Sequence, residues 1–287
     1  MTIRKAIIPA AGFGTRFLPA TKSIPKALLP VLERPAIHFT AIEAAKSGID
    51  HITIVTSPEE KLVWEYFQQN ISLERELHSR NQGRLLKEIT DISKIADISY
   101  ITQEQRMGLG HAIFMCRHSI GKDPFAVLLP DDLIFDDLPT IGQMIDVFNK
   151  YSGNIIAIKS VADDMIPNLG IIKSTVINDR IWEISDMVEK PKLEDAPSNQ
   201  AIIGRYILTP DILALIETIA PGANGEIQLT DALKKAMDHE KTYGFLFPGA
   251  HFDLGNPYGL LKASIYRALT LGGNGEHIKK SLREMIN

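Results

Sequence analysis

Residues 10–30, AAGFGTRFLPATKSIPKALLP, follow the short apolar run Ala6-Ile7-Ile8-Pro9 and have the make-up of an anion-binding loop hung from a buried strand. Gly12 and Gly14 remove side chains where backbone N–H groups approach an anion or take positive φ. Thr15, Arg16, Lys22 and Lys26 add side-chain donors and cations to the same loop, and Pro9, Pro19, Pro25 and Pro30 stiffen it. Amide donors and cations packed together suit a polyphosphate. A dinucleotide fingerprint needs a third glycine, which is missing, and a Walker loop needs Gly-Lys-Ser/Thr, also missing. Neither a dehydrogenase nor a P-loop ATPase fits. A Gly-x-Gly after a strand also serves as a plain tight turn, so the loop needs partners elsewhere in the chain.

With 287 residues, 45% hydrophobic and 23% charged, the chain has the composition of a soluble protein with one large α/β domain or two small ones and no need of a staple. A formal net charge of −4 gives no basic bias, so no nucleic-acid partner is expected and positive charge for phosphorylated ligands is local. The single cysteine, Cys116, rules out an intramolecular disulfide and adjoins the apolar run 112–115 of a buried helix. Arg4-Lys5 before the apolar 6–8 imitates a signal peptide, but Pro9 and Gly12 interrupt the run. No long apolar span follows, so no membrane association and a cytoplasmic location are expected.

Residues 35–46 carry helical spacing, with Ile37, Ala41, Ala44 and Ala45 on one side and a stop at Gly48, and a strand follows at 51–56. Ser57-Pro58-Glu59-Glu60 has the order of an N-cap, a first-turn proline and a capping-box acid, predicting a helix start. Strands at 98–102 and 125–129 continue the alternation. The expected fold class is α/β, a Rossmann-like mixed, mostly parallel sheet flanked by helices. The polar stretch 72–95 reads as two surface helices, 140–151 as a helix and 155–161 as a strand. Short β runs around turns such as Asn178-Asp179 then predict a small antiparallel extension over the sheet. Helix starts at Thr209-Pro210-Asp211 and at Thr230 flank a loop at 221–225. After a strand at 244–247, Asn256-Pro257 caps C-terminal helices.

Residues 103–111, QEQRMGLGH, leave a strand, carry Gly108 and Gly110, and run into an apolar helix. Gln103 carries both a donor and an acceptor, as the edge of a base requires. His111, alone at a helix start, reads as a structural hydrogen-bonder, and no Cys/His spacing for zinc occurs. Residues 125–132, FAVLLPDD, form an unbroken apolar strand ending in two acids, at the edge where open α/β sheets bind ligands. A charge directly after so apolar a strand needs a cation or donors. Mg²⁺, which takes carboxylate and phosphate oxygens with water, answers that need at Asp131, with Asp132 behind it. Gly170 in Leu169-Gly170-Ile171 permits close backbone approach, and Glu189-Lys190-Pro191 pairs an acceptor for sugar hydroxyls with a cation for a phosphate. Asp253, in Phe252-Asp253-Leu254-Gly255, is the second metal candidate, its bland reading being a turn aspartate near the cap at Asn256.

Gly12-x-Gly14-Thr15-Arg16-x-x-Pro19, followed by Lys26-x-Leu28-Leu29-Pro30 and Pro35, resembles the signature of the sugar-1-phosphate nucleotidyltransferases, most closely their bacterial UDP-glucose branch. Residues 196–206 and 225–232 resemble the same branch. The resemblance implies transfer of a uridylyl group from UTP to glucose 1-phosphate, giving UDP-glucose and pyrophosphate, with Mg²⁺ as cofactor in a homodimer or homotetramer. It assigns Ala11, Gly12, Gly14, Thr15, Arg16, Lys26, Gln103 and Gly108 to the nucleotide, and Asp132, Gly170, Glu189, Lys190 and Gly204 to the sugar phosphate. Asp131 and Asp253 fall to the metal, and Arg16, Lys26, Asp131 and Lys190 to catalysis. The catalytic domain is expected over 1–255, with a helical segment over 256–287 packed on it or on a partner subunit. A thymidylyl or other sugar-1-phosphate nucleotidyltransferase stays open as an alternative, as does a non-catalytic nucleotide-sugar-binding regulatory homologue. One departure stands out: the branch commonly carries glutamate directly after the loop lysine, where this chain has Ala27.

Overall fold

The computed structural model describes residues 2–222, 225–271, 273 and 275–286. Of the loop expected at 221–225, residues 223 and 224 lie outside the described residues. The chain opens with β1 (Lys5–Pro9), three 3₁₀ turns over 15–28, a short ribbon of β2 (Pro30–Val31) and β3 (Arg34–Pro35), and α1 (Ala36–Lys46). Then come β4 (His51–Thr56), α2 (Leu62–Phe67), a helical pair α3 (Ile71–Ser79) and α4 (Gly83–Ile92), and β5 (Asp97–Thr102). Next are α5 (Gly108–Met115), α6 (Arg117–Ile120), β6 (Phe125–Leu128), β7 (Asp132–Phe135), α7 (Thr140–Tyr151) and β8 (Asn154–Ser160). The remainder is β9 (Gly170–Val176), β10 (Ile181–Glu189), β11 (Gln200–Leu208), α8 (Asp211–Glu217), α9 (Leu229–Ala236), β12 (Thr242–Leu246), β13 (Ala250–Asp253), α10 (Pro257–Thr270) and α11 (Gly275–Ile286).

Nine strands form one sheet in the order β5-β4-β1-β6-β11-β8-β12-β10-β9. All run the same way except β10 and β11, which pair antiparallel with their neighbours. The mostly parallel α/β sheet expected from the sequence is therefore present. A strand as apolar as β6 has to be covered on both faces. Its alternate residues feed two layers: Ala126 and Leu128 share one with Ile37 of α1 and Met144 of α7, while Phe125 and Val127 share the other with Ile113 of α5 and Leu233 of α9. Cys116, between α5 and α6, is buried in the second layer.

Three local expectations change. The antiparallel extension lies in the plane of the sheet, not over it, because the free edge of β12 takes up β10, which takes up β9. Curling then brings Ile171 of β9 against Ala201 of β11. The helix expected to begin at 57–60 begins at Leu62: Glu60 Oε1 accepts the Leu62 and Val63 N–H groups at 2.8 and 3.3 Å, whereas Ser57 closes a turn through its carbonyl. A carboxylate there reaches the free first-turn donors and complements the helix dipole. Thr209 precedes α8 but does not cap it, since its hydroxyl donates to Glu240 Oε2 at 2.7 Å. Asn256 does cap α10, accepting the Gly259 N–H at 3.0 Å. That helix packs through Ala263 onto Val31 and Leu133.

Candidate functional site

The loop after β1 is built as a string of turns. Gly14 takes φ 63°, the conformation its lack of a side chain permits, and opens the 3₁₀ turn Thr15–Phe17. Thr21 Oγ1 donates to the Gly14 carbonyl at 2.8 Å, and buried Phe17 anchors the turn. Ala27 is buried in the same apolar layer as Ile37 and Ala41. The position that departs from the family signature thus supports the loop by packing a methyl group. Lys26 Nζ donates to Asp131 Oδ2 at 2.7 Å, joining the cation loop to the acid loop.

The acids leave the sheet at the C-terminal end of β6. Asp132 opens β7 and stands opposite Asp253 in the β7–β13 ribbon, while the Leu254 N–H donates to the Asp131 carbonyl at 2.6 Å. Asp132 Oδ1 lies 2.6 Å from His251 Nε2, and its Oδ2 accepts the Gly204 N–H at 3.1 Å. Burial alone would raise the Asp132 pKa, but the His251 bond and charge, Arg205 and the Gly204 N–H outweigh it and hold the carboxyl below its ordinary value. Asp253 moves the opposite way. Burial raises it, and the charges of Asp132 and Asp131 add to that rise against the Gly255 N–H and Lys26. Gly204 is required by close approach: a Cβ would lie 2.5 Å from Asp132 Oδ2 and 2.6 Å from Leu129 Cβ.

Behind the acids lies a pair that the sequence did not disclose. Arg205 is fully buried, donates to both carboxylate oxygens of Glu43 (2.9–3.2 Å), and also donates to the carbonyls of Leu129 and Gly204, each at 2.9 Å. It therefore clamps the backbone from which the acid loop departs.

After β5, Gln103 is buried, and its Nε2 donates to the Gly108 carbonyl at 3.3 Å and stands 2.9 Å from His111 Nδ1. Burial lowers the His111 pKa, in keeping with a neutral ring whose Nδ1 accepts this bond. The structure thus brings Gln103 and Gly108 together and gives His111 the structural role read from sequence. Arg106 was not anticipated. Its Nε donates to the Ala11 carbonyl at 2.7 Å and its guanidinium lies 3.5 Å from the Phe13 ring centroid, fastening the 103–111 loop to the cation loop.

On the far side, Glu189 ends β10 directly opposite Gly170 of β9. Lys190 turns out of the strand with φ 46°, a strained value for a side-chain-bearing residue, and its Nζ lies 3.2 Å from Glu189 Oε1. A cavity of about 360 Å³ unites the two sides. Arg16, Gly108, Asp131, Asp132, Gly170, Glu189, Lys190, Gly204 and Asp253 all line it, with Tyr206, Gln228 and Thr230 unforeseen. Gly12 and Lys26 line a small cavity of about 100 Å³ that shares Asp131 with it. Gly12 and Thr15 face a cleft of about 450 Å³ with Lys22 and Arg106. Ala11, Gly14 and Gln103 line none of these three spaces and act through the bonds just described.

A cation-rich turn beneath carboxylates at the ends of parallel strands defines an α/β protein that handles a nucleotide polyphosphate together with a second, polar ligand. The chain belongs to the nucleotidyl transferase family, whose family model, described as Nucleotidyl transferase, matches residues 5–268. It is 39% identical to the UTP–glucose-1-phosphate uridylyltransferase YngB of Bacillus subtilis, over 99% of this chain and 98% of that one. A second enzyme of that name, from Staphylococcus saprophyticus, is 42% identical over 93% of this chain and 92% of its own. Among solved structures, a UTP-bound UGPase from Acinetobacter baumannii superposes with TM-score 0.91 at 36% identity, over 98% of this chain and 99% of that one. A UDP-glucose pyrophosphorylase complexed with UDP-glucose gives 0.83 at 41% identity, over 91% and 97%.

Proposed function

We propose that the protein transfers the uridylyl group of UTP to glucose 1-phosphate, releasing pyrophosphate and forming UDP-glucose, the activity for which its relatives are named. The observation that carries this reading is the single cavity in which Arg16 and Asp131 face Glu189, Lys190 and Gly170. A phosphate oxygen of the sugar attacks the α-phosphorus of UTP in line, and pyrophosphate leaves. That phosphate is already a nucleophile, so no general base is needed. Charge opposes the approach of two polyanions, by about 4 kcal/mol for each unit-charge pair near 4 Å at an effective dielectric of 20. The side chains act on this repulsion by position and charge. Arg16 neutralises the departing pyrophosphate. Lys26, held at the acid loop by Asp131, and Lys190 steady the α-phosphate and the sugar phosphate. Gly108, held from behind by Gln103, borders the base, and Glu189 with the Gly170 backbone orients the sugar.

The residues fit Mg²⁺ as the cofactor. Asp131 and Asp253 offer hard oxygen donors, and the raised pKa of Asp253 reflects burial together with crowded negative charge that a divalent cation would relieve. Mg²⁺ takes one or two carboxylates and completes its shell with phosphate oxygens and water; among the described residues no cluster of three or more ligating side chains occurs. When bound, the ion supplies charge neutralisation at the reacting phosphates. Exposed Tyr258 and Leu261 of α10 and Met285 of α11 support a homodimer or homotetramer built through the C-terminal helices. Among the described residues no helix is long and apolar enough to cross a membrane. A cytoplasmic setting matches two water-soluble substrates.

Pyrophosphate release with glucose 1-phosphate and each nucleoside triphosphate, with and without Mg²⁺, tests the proposal. Release with UTP and Mg²⁺ is expected. Faster release with dTTP would make the protein a thymidylyl enzyme, and no release in any combination would make it a binding protein.

A further inference from the structure

The Glu189 carboxylate is held from several sides. Lys190 Nζ stands 3.2 Å from Oε1, and Thr230 Oγ1 donates to Oε2 at 2.6 Å. Gly170 closes a third side, where a Cβ would lie 3.2 Å from Oε2. Thr230 is nearly buried and borders the 360 Å³ cavity. Its hydroxyl therefore commits its one proton to Glu189 and keeps its lone pairs for a donor inside the cavity.

Thr230 is itself fixed at both ends. The Ile227 N–H donates to the Met107 carbonyl at 2.7 Å, and the Ile227 carbonyl accepts the Gly110 N–H at 2.9 Å. That approach needs glycine, because a Cβ on Gly110 would lie 2.7 Å from the same carbonyl oxygen. One turn further along α9, Lys234 pairs with Asp186 of β10 at 2.7 Å. Residues 226–234 thus form a strap from the start of α5, which carries Gly108, to the strand that carries Glu189.

We infer that Thr230 is a positioning residue for the sugar: it fixes Glu189 in the rotamer that receives the sugar hydroxyls and ties that rotamer to the loop bordering the base. The inference rests on the reading of Glu189 under the proposed function. A free glutamate has to surrender rotamer freedom when a ligand binds, and a donor already in place removes that loss beforehand. A neutral hydroxyl does so without cancelling the carboxylate charge on which the sugar hydroxyls depend.

Thr230→Val keeps the shape and deletes the donor. Calorimetric titration of UDP-glucose and of UTP into wild type, Thr230→Val, Thr230→Ser and Glu189→Gln, with melting temperatures and pyrophosphate assays alongside, provides the test. Thr230→Val should weaken UDP-glucose about tenfold while UTP affinity and melting temperature hold. The KM for glucose 1-phosphate should rise more than kcat falls. Thr230→Ser should restore both, and adding Thr230→Val to Glu189→Gln should cost little more. Thr230→Ala replaces the valine variant if the latter melts early. Unchanged UDP-glucose affinity, or equal losses for UDP-glucose and UTP, overturns the inference. An active wild type with a silent Thr230→Val sinks the inference alone, and an inactive wild type whose UDP-glucose affinity still drops in Thr230→Val sinks the activity alone.

Discussion

On the side of the site proposed to hold the nucleotide, the cations Arg16 and Lys26 sit on short 3₁₀ turns, whereas on the side proposed to hold the sugar, Asp132 and Glu189 belong to strands and each is met by donors already in place. Under the proposed function, the difference follows from what each side would hold. A polyphosphate offers many equivalent oxygens and long-range charge, so its cations gain from latitude. Sugar hydroxyls offer weak, directional bonds, and these count only if the acceptor is immobile beforehand. Lys26 and Asp131, bonded to each other, lie where the adaptable side meets the fixed one.

The fixed side has its anchor in Arg205, and the largest effect is expected there. Arg205→Met should cost roughly 3–5 kcal/mol of stability in denaturant unfolding, because Glu43 is left charged and buried. Arg205→Met with Glu43→Met should recover most of it. A single variant as stable as wild type would mean that the acid loop is not held from behind. Next comes Asp131→Asn, which should lower turnover on the order of a hundredfold or more. Normal Mg²⁺-dependent turnover in that variant would remove Asp131 from the metal site and leave its bond to Lys26 as its only role.

The adaptable side was the more legible in the sequence, for a physical reason. A turn that needs positive φ and a proline-stiffened backbone, carrying cation side chains that keep their own latitude, demand particular residues at adjacent positions, as does a strand buried on both faces, and Gly14, Pro19 and residues 125–128 supply them. The fixed side is built from pairs with no local pattern. Arg205 and Glu43 are 162 positions apart and Thr230 and Glu189 are 41 apart; on the other side the Arg106–Ala11 bond, 95 positions apart, escaped for the same reason. An arginine within the mostly apolar run of β11 was the one signal available, since a guanidinium buried there must find a carboxylate. Gly204 lines the cavity as its place in the sequence suggested, but its necessity comes from the approach of Asp132 and Leu129, which no reading of neighbouring residues contains. Ser57 misled because N-cap chemistry can be supplied by either residue, and Glu60 is the one whose side chain reaches the free N–H groups.

Arg16→Ala probes the adaptable side with a smaller effect. It should lower turnover roughly tenfold to a hundredfold and UTP affinity less, since its charge meets pyrophosphate most strongly as that group departs. Equal losses in kcat/KM and in UTP binding, with kcat unchanged, would reduce Arg16 to uniform binding and erase the contrast between a side that adapts during reaction and one that is fixed before it.

The smallest expected effect is an acid limit on the nucleotide half, set by His38 of α1. Its Nε2 lies 2.7 Å from an Arg34 nitrogen that can only donate, so the ring proton resides on Nδ1 and is donated to Tyr66 Oη at 3.0 Å. Burial, helped by the Arg34 charge, lowers its pKa from 6.5 to about 4. Above pH 6.5 the ring is neutral in both folded and unfolded chains. Between 6.5 and about 4 only the unfolded chain takes up the proton, so stability is lost as pH falls through that window and the loss levels off below it. Glutamine can accept from Arg34 and donate to Tyr66 without titrating. The melting temperature of His38→Gln should therefore decline less than that of wild type between pH 7 and pH 4, with turnover at pH 7 preserved. Parallel declines would show that the acid sensitivity of this window arises elsewhere than at His38; Asp132, whose depressed pKa costs stability only as pH falls below the ordinary carboxylate range, acts outside it.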